Sequence, residues 1–177
     1  MITKILLALG LVILVLLVVI SLRPNDFRYS RSATIAAPAT VLFEQINDLQ
    51  KFQIWNPWAK VDPDAKITYA GPPTGVGASY SWAGNNEVGE GTMTAIESHP
   101  PELVRFRMEF RKPMAAVSTA EFTFKPEGDK TIVTWSMFGP NNFMGKAVGL
   151  FIDCDKMVGD QFEKGLANLA ETVKQSN

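Results

Sequence analysis

Apolar positions along the chain change their period twice, and each change marks a different kind of element. Residues Ile5–Leu22 read ILLALGLVILVLLVVISL, a run without a charge, preceded by Lys4 and closed by Arg23-Pro24. Its length sits at the lower end of what crosses a bilayer core as a helix. Phe27–Ala36, FRYSRSATIA, then places apolar residues at 27, 29, 33 and 35, which predicts a strand. Pro38 suits a helix start, where its missing N–H costs nothing. A short helix is therefore expected over Pro38–Ile46, with Val41, Leu42 and Ile46 inward. Asp48 is a suitable N-cap for a second one, Leu49–Ile54, which Pro57 stops.

From residue 67 to 138 the period is two. Ala78, Tyr80 and Trp82 alternate with serines; Val104, Phe106, Met108 and Phe110 alternate with Arg and Glu. Ala120, Phe122 and Phe124, and then Val133, Trp135 and Met137, continue the alternation. Turn signals separate the runs: AGNN at 83–86, SHPPE at 98–102, KP at 112–113 and PEGDK at 126–130. Such hairpins with one apolar face predict an antiparallel meander, wet on one side. The two glycines of VGEGTM, 88–93, lack the strand–GxGxxG–helix context of a dinucleotide site and fit a bulge that helps the sheet curve.

The last segment, Phe143–Lys174, returns to helical spacing. Ala147, Phe151, Cys154, Val158, Phe162, Leu166, Leu169 and Val173 fall within about 60° of Phe151 on a helical wheel. One long helix is expected, capped by Asn141 or Asn142. Gly149, Gly159 and Gly165 each weaken it by up to about 1 kcal/mol relative to alanine, which implies a close-packing or cavity-shaping reason for them. The sheet has one apolar face and this helix one apolar stripe, so the two must meet, in an α+β arrangement.

Composition adds boundaries. A chain of 177 residues suits one domain plus an appendage, and most of the apolar excess lies in the first run. We read that run as an uncleaved membrane anchor rather than a signal peptide, because it does not end at an A-x-A site and Val19-Ile20-Ser21 is the best substitute. The organisation is then anchor and short tether over 1–26 and a folded domain over 27–177. Lys4 and the α-amine face Arg23, Arg28 and Arg31 across the run, so the positive-inside count is nearly balanced. Beyond the anchor and its flanks stand 15 basic and 18 acidic residues, a net charge of −3 with no basic stripe, so nucleic acid has no electrostatic footprint. The tether, Arg23–Asp26, spans at most roughly 14 Å, which keeps the domain near the bilayer.

The order of elements resembles the START-like, Bet v 1-like SRPBCC superfamily, specifically its membrane-anchored, polyketide cyclase/dehydrase-like members. The resemblance covers Phe27–Thr172 and is carried by FQIWNPWAK (52–60), TAEFTFKPEGDKTIVTWSM (119–137) and DQFEKGLANL (160–169). It implies a helix-grip fold: a curved antiparallel sheet wrapped around the last helix, with a cavity between them that usually takes an apolar ligand. Lipid carriers, metabolite binders and cyclases share the fold, so fold alone does not choose among them.

Asp153 and Asp155, in GLFIDCDKMVG, take opposite sides of a helical wheel. Asp153 falls outside, and Asp155 falls inside the apolar stripe. A desolvated carboxyl there could give a proton to a bound carbonyl, as a cyclase or aldolase needs. The favoured alternative is a structural acid paired with a cation, since buried charges are normally paired. His99 is the sole histidine, in a turn; with no Cys or His cluster, neither a zinc site nor any other cofactor is expected. Cys154 reads as a small core residue rather than a nucleophile. Trp55 and Trp58 either seal the core edge or meet ligand or membrane. The strongest positive signal is the inward set Tyr80, Trp82, Phe106, Met108, Phe122, Phe124, Trp135 and Met137, opposed by Phe151 and Phe162. Individually each is core; together, with few polar groups, they fit an apolar pocket.

Three readings follow. The leading one is a membrane-tethered binding domain for an apolar small molecule or lipid, held to the membrane by residues 5–22. The second is a cyclase- or dehydratase-like enzyme using Asp155. The third is a protein-interaction domain without a small ligand. Nothing in the sequence favours a particular oligomeric state.

Overall fold

Proline, asparagine and glycine set the element boundaries. The computed structural model describes residues 1–175. Helix α1, Ile2–Ser21, carries the apolar run, and Ile20 is its one buried residue. It is long and apolar enough to cross a membrane by length and composition. Strand β1, Asp26–Ile35, follows, then α2, Ala39–Asn47, which starts immediately after Pro38. Helix α3, Leu49–Trp55, begins at Asp48, whose carboxylate accepts from the N–H groups of Gln50 and Lys51. Pro57–Lys60 then forms a 3₁₀ turn capped by Asn56.

Six further strands form the expected meander: β2, Lys66–Ala70; β3, Ser79–Ala83; β4, Glu90–His99; β5, Leu103–Lys112; β6, Ala116–Glu127; and β7, Lys130–Pro140. The sheet is antiparallel throughout, in the order β1-β7-β6-β5-β4-β3-β2. The register of β4 against β5 shifts between Glu90 and Gly91, as the paired glycines of 88–93 suggested. The outer face is polar. Ser30 meets Ser136, Ser32 meets Thr134, and Glu121 takes hydrogen bonds from both Arg28 and Arg105.

The expected single helix over 143–174 is two. Helix α4, Phe143–Val148, is capped by Asn142, which accepts from the Gly145 N–H. It ends at Gly149, a turn follows, and α5, Cys154–Gln175, starts afresh. Asp153 is therefore not on the outer face of a continuous helix. Its Oδ1 accepts from Lys156 N at 3.0 Å and caps the new start. The apolar spacing reads through the break because Phe151, on the turn itself, stands at a stripe position by residue count although it faces outward.

The α5 stripe holds from Val158 onward: Phe162, Leu166, Leu169 and Val173 are buried against the sheet. The two remaining glycines have the anticipated packing reason. A methyl at Gly165 would meet the Trp135 ring at 2.6 Å and the Pro57 ring at 3.1 Å, and one at Gly159 would meet Arg31. Helices α2 and α3 close one end of the cup with Leu42, Ile46, Leu49 and Trp55, all essentially inaccessible.

Candidate functional site

Between the curved sheet and α5 lies a cavity of about 330 Å³. Its innermost wall is aromatic. Trp135 of β7 stacks on Phe162 of α5 with centroids 4.3 Å apart and planes 12° apart. Phe122 sits 4.8 Å from Trp135, and Phe52 of α3 packs edge-on to both. Trp58, in the 3₁₀ turn, packs edge-to-face with Trp135 and Phe162 and lines the cavity. Inward-pointing positions of β3, β4 and β5 supply Tyr80, Trp82, Met93, Met108 and Phe110. Charged side chains occur only on the loops around the space: Asp62, Glu87 and, at the end of β5, Lys112. Asp62 ties two of these loops together, its Oδ2 accepting from Asn85 N at 2.6 Å.

Of the residues anticipated from sequence, Trp58, Tyr80, Trp82, Met108, Phe122, Trp135 and Phe162 line this cavity, together with Met137. Trp55 and Phe106 are fully buried behind it, and Trp55 Nε1 donates to the Gln45 carbonyl at 3.1 Å. Phe124 is likewise buried in the core, against Phe43. Phe151 is 83 % exposed on the α4–α5 turn and does not border the cavity. Its expected inward placement is corrected because the helix that would have turned it inward is interrupted.

The same interruption corrects Asp155. It lies in the first turn of α5, on the surface, and not on the buried stripe. Arg31 Nη1 and Nη2 donate to its two carboxylate oxygens, each at 3.2 Å, and Arg31 Nε donates to Glu163. Asp155 holds the guanidinium pKa above its ordinary value, chiefly through that hydrogen bond. This is the paired structural acid of the alternative reading. Cys154 is half-buried beside Tyr29, whose hydroxyl is pushed up to about 12, first by burial and then by Cys154 and the neighbouring acids.

Sequence reasoning missed Phe52, Gln53 and Asn56 of the lining, and the two amides bring its polar chemistry. Asn56 is buried; its Nδ2 donates to Gln53 Oε1 at 3.2 Å, and its Oδ1 accepts from Trp58 N. That bond leaves Gln53 Nε2 as a free donor. Nε2 lies near the Tyr80 hydroxyl but makes no well-formed hydrogen bond. Burial pushes the Tyr80 hydroxyl well above its usual range, so it stays protonated. Trp135 Nε1 is also buried without a partner among the described residues, whereas Trp82 Nε1 donates to the Val88 carbonyl. A buried, unpaired donor costs roughly 1–3 kcal/mol. The Gln53 and Trp135 side chains both line the cavity, but the two nitrogens themselves are turned away from its accessible space. The clue in the sequence was FQIWNPWAK itself, whose two amide side chains stand among aromatics.

No curated protein matches the chain significantly. Its fold is similar to solved structures of low identity. The ginseng major latex-like protein 151 from Panax ginseng shares 10 % identity, with a TM-score of 0.58 over 84 % of this chain and 98 % of that one. A Thermobifida fusca protein shares 22 %, with a TM-score of 0.61 over 82 % and 91 %. A Chromobacterium violaceum protein shares 15 %, with a TM-score of 0.59 over 85 % and 98 %. The sequence pattern of the family described as polyketide cyclase/dehydrase and lipid transport matches residues 26–174. With an unbroken antiparallel sheet gripping one long helix, the chain belongs to that family within the START-like, Bet v 1-like SRPBCC superfamily.

Proposed function

We propose that this protein is a membrane-tethered binding domain that holds an apolar small molecule or lipid in the helix-grip cavity. The observation that carries the reading is the cavity itself. It is a space of about 330 Å³ walled by aromatic and methionine side chains, with ionisable groups confined to its loops and the end of β5 apart from the hydroxyl of Tyr80. That volume falls at the lower end of small-molecule sites. Membrane tethering is supported by α1, which is exposed along nearly its whole length and carries no charge after Lys4.

A cyclase-like role through Asp155 finds no support in the geometry, since that carboxylate pairs with Arg31 outside the cavity. The test is native mass spectrometry of the full chain released from mild detergent, with solvent extraction of whatever co-purifies. A stoichiometric apolar molecule is expected. Repeated ligand-free spectra, with no thermal shift across a lipid panel, would count decisively against the reading.

A further inference from the structure

One apolar surface remains unused by the cavity. Helix α4 and the turn after it expose Phe143, Met144 and Ile152 by about half and Phe151 by 83 %. Leu22, at the end of α1, is 79 % exposed. Clustered apolar exposure of this kind marks a contact surface.

Its position relative to α1 is held by specific contacts rather than left to a flexible leash. Helix α1 packs against α4, and Ile20 is buried. Asn141 N donates to the Asn25 carbonyl at 2.6 Å, and Lys146 Nζ donates to Asn25 Oδ1 at 2.6 Å. The four-residue tether is therefore clamped to both ends of α4's first turn and a half.

A 20-residue helix rises about 30 Å, the thickness of a bilayer's hydrocarbon core. If α1 fills that core, its C-terminal end lies at the membrane interface, and so does the α4 that packs on it. Exposed Phe, Met and Ile at that depth meet lipid rather than water, and aromatic side chains favour this zone. We propose that α4 and the turn to Cys154 form a second, monotopic contact that lies in the interface of the same bilayer. The proposal rests on reading α1 as an anchor. The groove beside the patch mixes Arg23 and Lys146 with Asp26, Asp153 and Asp155, so charge gives no net attraction. The contact is driven by apolar area, and zwitterionic lipid suffices for it.

The test uses the full chain carrying Cys154→Ser, with single cysteines introduced as Phe151→Cys, Val12→Cys in α1, or Asp129→Cys in the β6–β7 turn. Asp129 lies at the far end of β7 from α4. Each is labelled with an environment-sensitive fluorophore and reconstituted at low density in phosphatidylcholine vesicles whose acyl chains carry a nitroxide quencher. Loss of fluorescence is expected at 12 and 151 but not at 129. Quenching at 12 without quenching at 151 leaves the anchor standing and overturns the second contact. Absence of quenching at both sites overturns both. A label at 151 that lipid does not quench but that a water-soluble quencher cannot reach means a protein partner or second copy covers the patch, which also overturns the proposal. Met144→Cys, labelled in the same way, gives an independent reading of the same surface.

Discussion

The guanidinium of Arg31 on β1 lies across Gly159 of α5, so close that a methyl added at Gly159 would clash with Arg31 Nη2. The absent side chain lets Arg31 reach Asp155 on one side and Glu163 on the other. Strand β1 is the sheet edge along which α5 packs. This crossing therefore fastens the gripped helix to the rim of the grip, next to the turn that interrupts the C-terminal helical segment.

The two packed glycines of α5 separate by what they touch. Alanine in place of glycine gains up to about 1 kcal/mol in helix propensity. At Gly159 the obstacle is the far end of a flexible arginine, whose surface ion pairs contribute little, so Gly159→Ala should be nearly neutral. At Gly165 the obstacles are the rings of Trp135 and Pro57, which cannot swing aside, so Gly165→Ala should destabilise by about 1–3 kcal/mol. Paired thermal melts decide the ordering. Equal melting temperatures would mean Trp135 is not held against α5.

Asp155→Asn removes an exposed ion pair and keeps the shape of the side chain. A loss of no more than about 1 kcal/mol, or roughly 4 °C in melting temperature, is expected, with ligand uptake unchanged. Loss of a measured turnover at unchanged melting temperature would restore the acid/base role.

Core and lining positions should respond differently to truncation. Phe106→Ala, in solid packing, is expected to cost about 3–5 kcal/mol, whereas Met137→Ala enlarges an existing space and should cost less. In the opposite direction, Ala120→Phe from β6 should fill the cavity and abolish co-purification of the apolar guest while the protein still folds cooperatively. Denaturant melts combined with native mass spectrometry check both halves. Retained guest in a folded Ala120→Phe protein would place binding elsewhere.

Alkali tests the burial of Tyr29 and Tyr80. Both hydroxyls are shifted upward, that of Tyr29 to about 12, because the folded state disfavours the phenolate. An unfolded tyrosine ionises near 10. The folded state therefore keeps its protons longer, and the stabilisation is intact below about pH 10 and lost as pH rises through 12 for Tyr29. Phenolate absorbance of the native protein should lag that of the urea-unfolded chain, and stability should fall across that window. Coincident titration curves would show both rings to be solvent-accessible.

Much of this architecture was legible beforehand. Period two from residue 67 to 138 located the meander and its inward faces, and Asp48 and Asn142 were recognisable caps. The membership of the cavity was only partly readable. Tyr80, Trp82, Phe106, Met108, Phe122 and Trp135 share one face of the sheet, yet Phe106 is solid core while its neighbour Met108 borders space. Alternation states which face a residue occupies, not how far along the strand the helix lid lies against it.

Local chemistry, acting within a few residues, determined the strands, the caps, the apolar first helix and the single stripe of α5. Tertiary structure decided where the C-terminal helix breaks, and with it the fates of Phe151 and Asp155. Phe151 keeps a stripe position by residue count even on the turn, so the pattern reads through the break. Only the packing of α4 on α1 and the tether, and of α5 on β1, separates the two helices in space. The cavity belongs to the same category, because an unfilled volume is a relation among distant surfaces that no run of residues records.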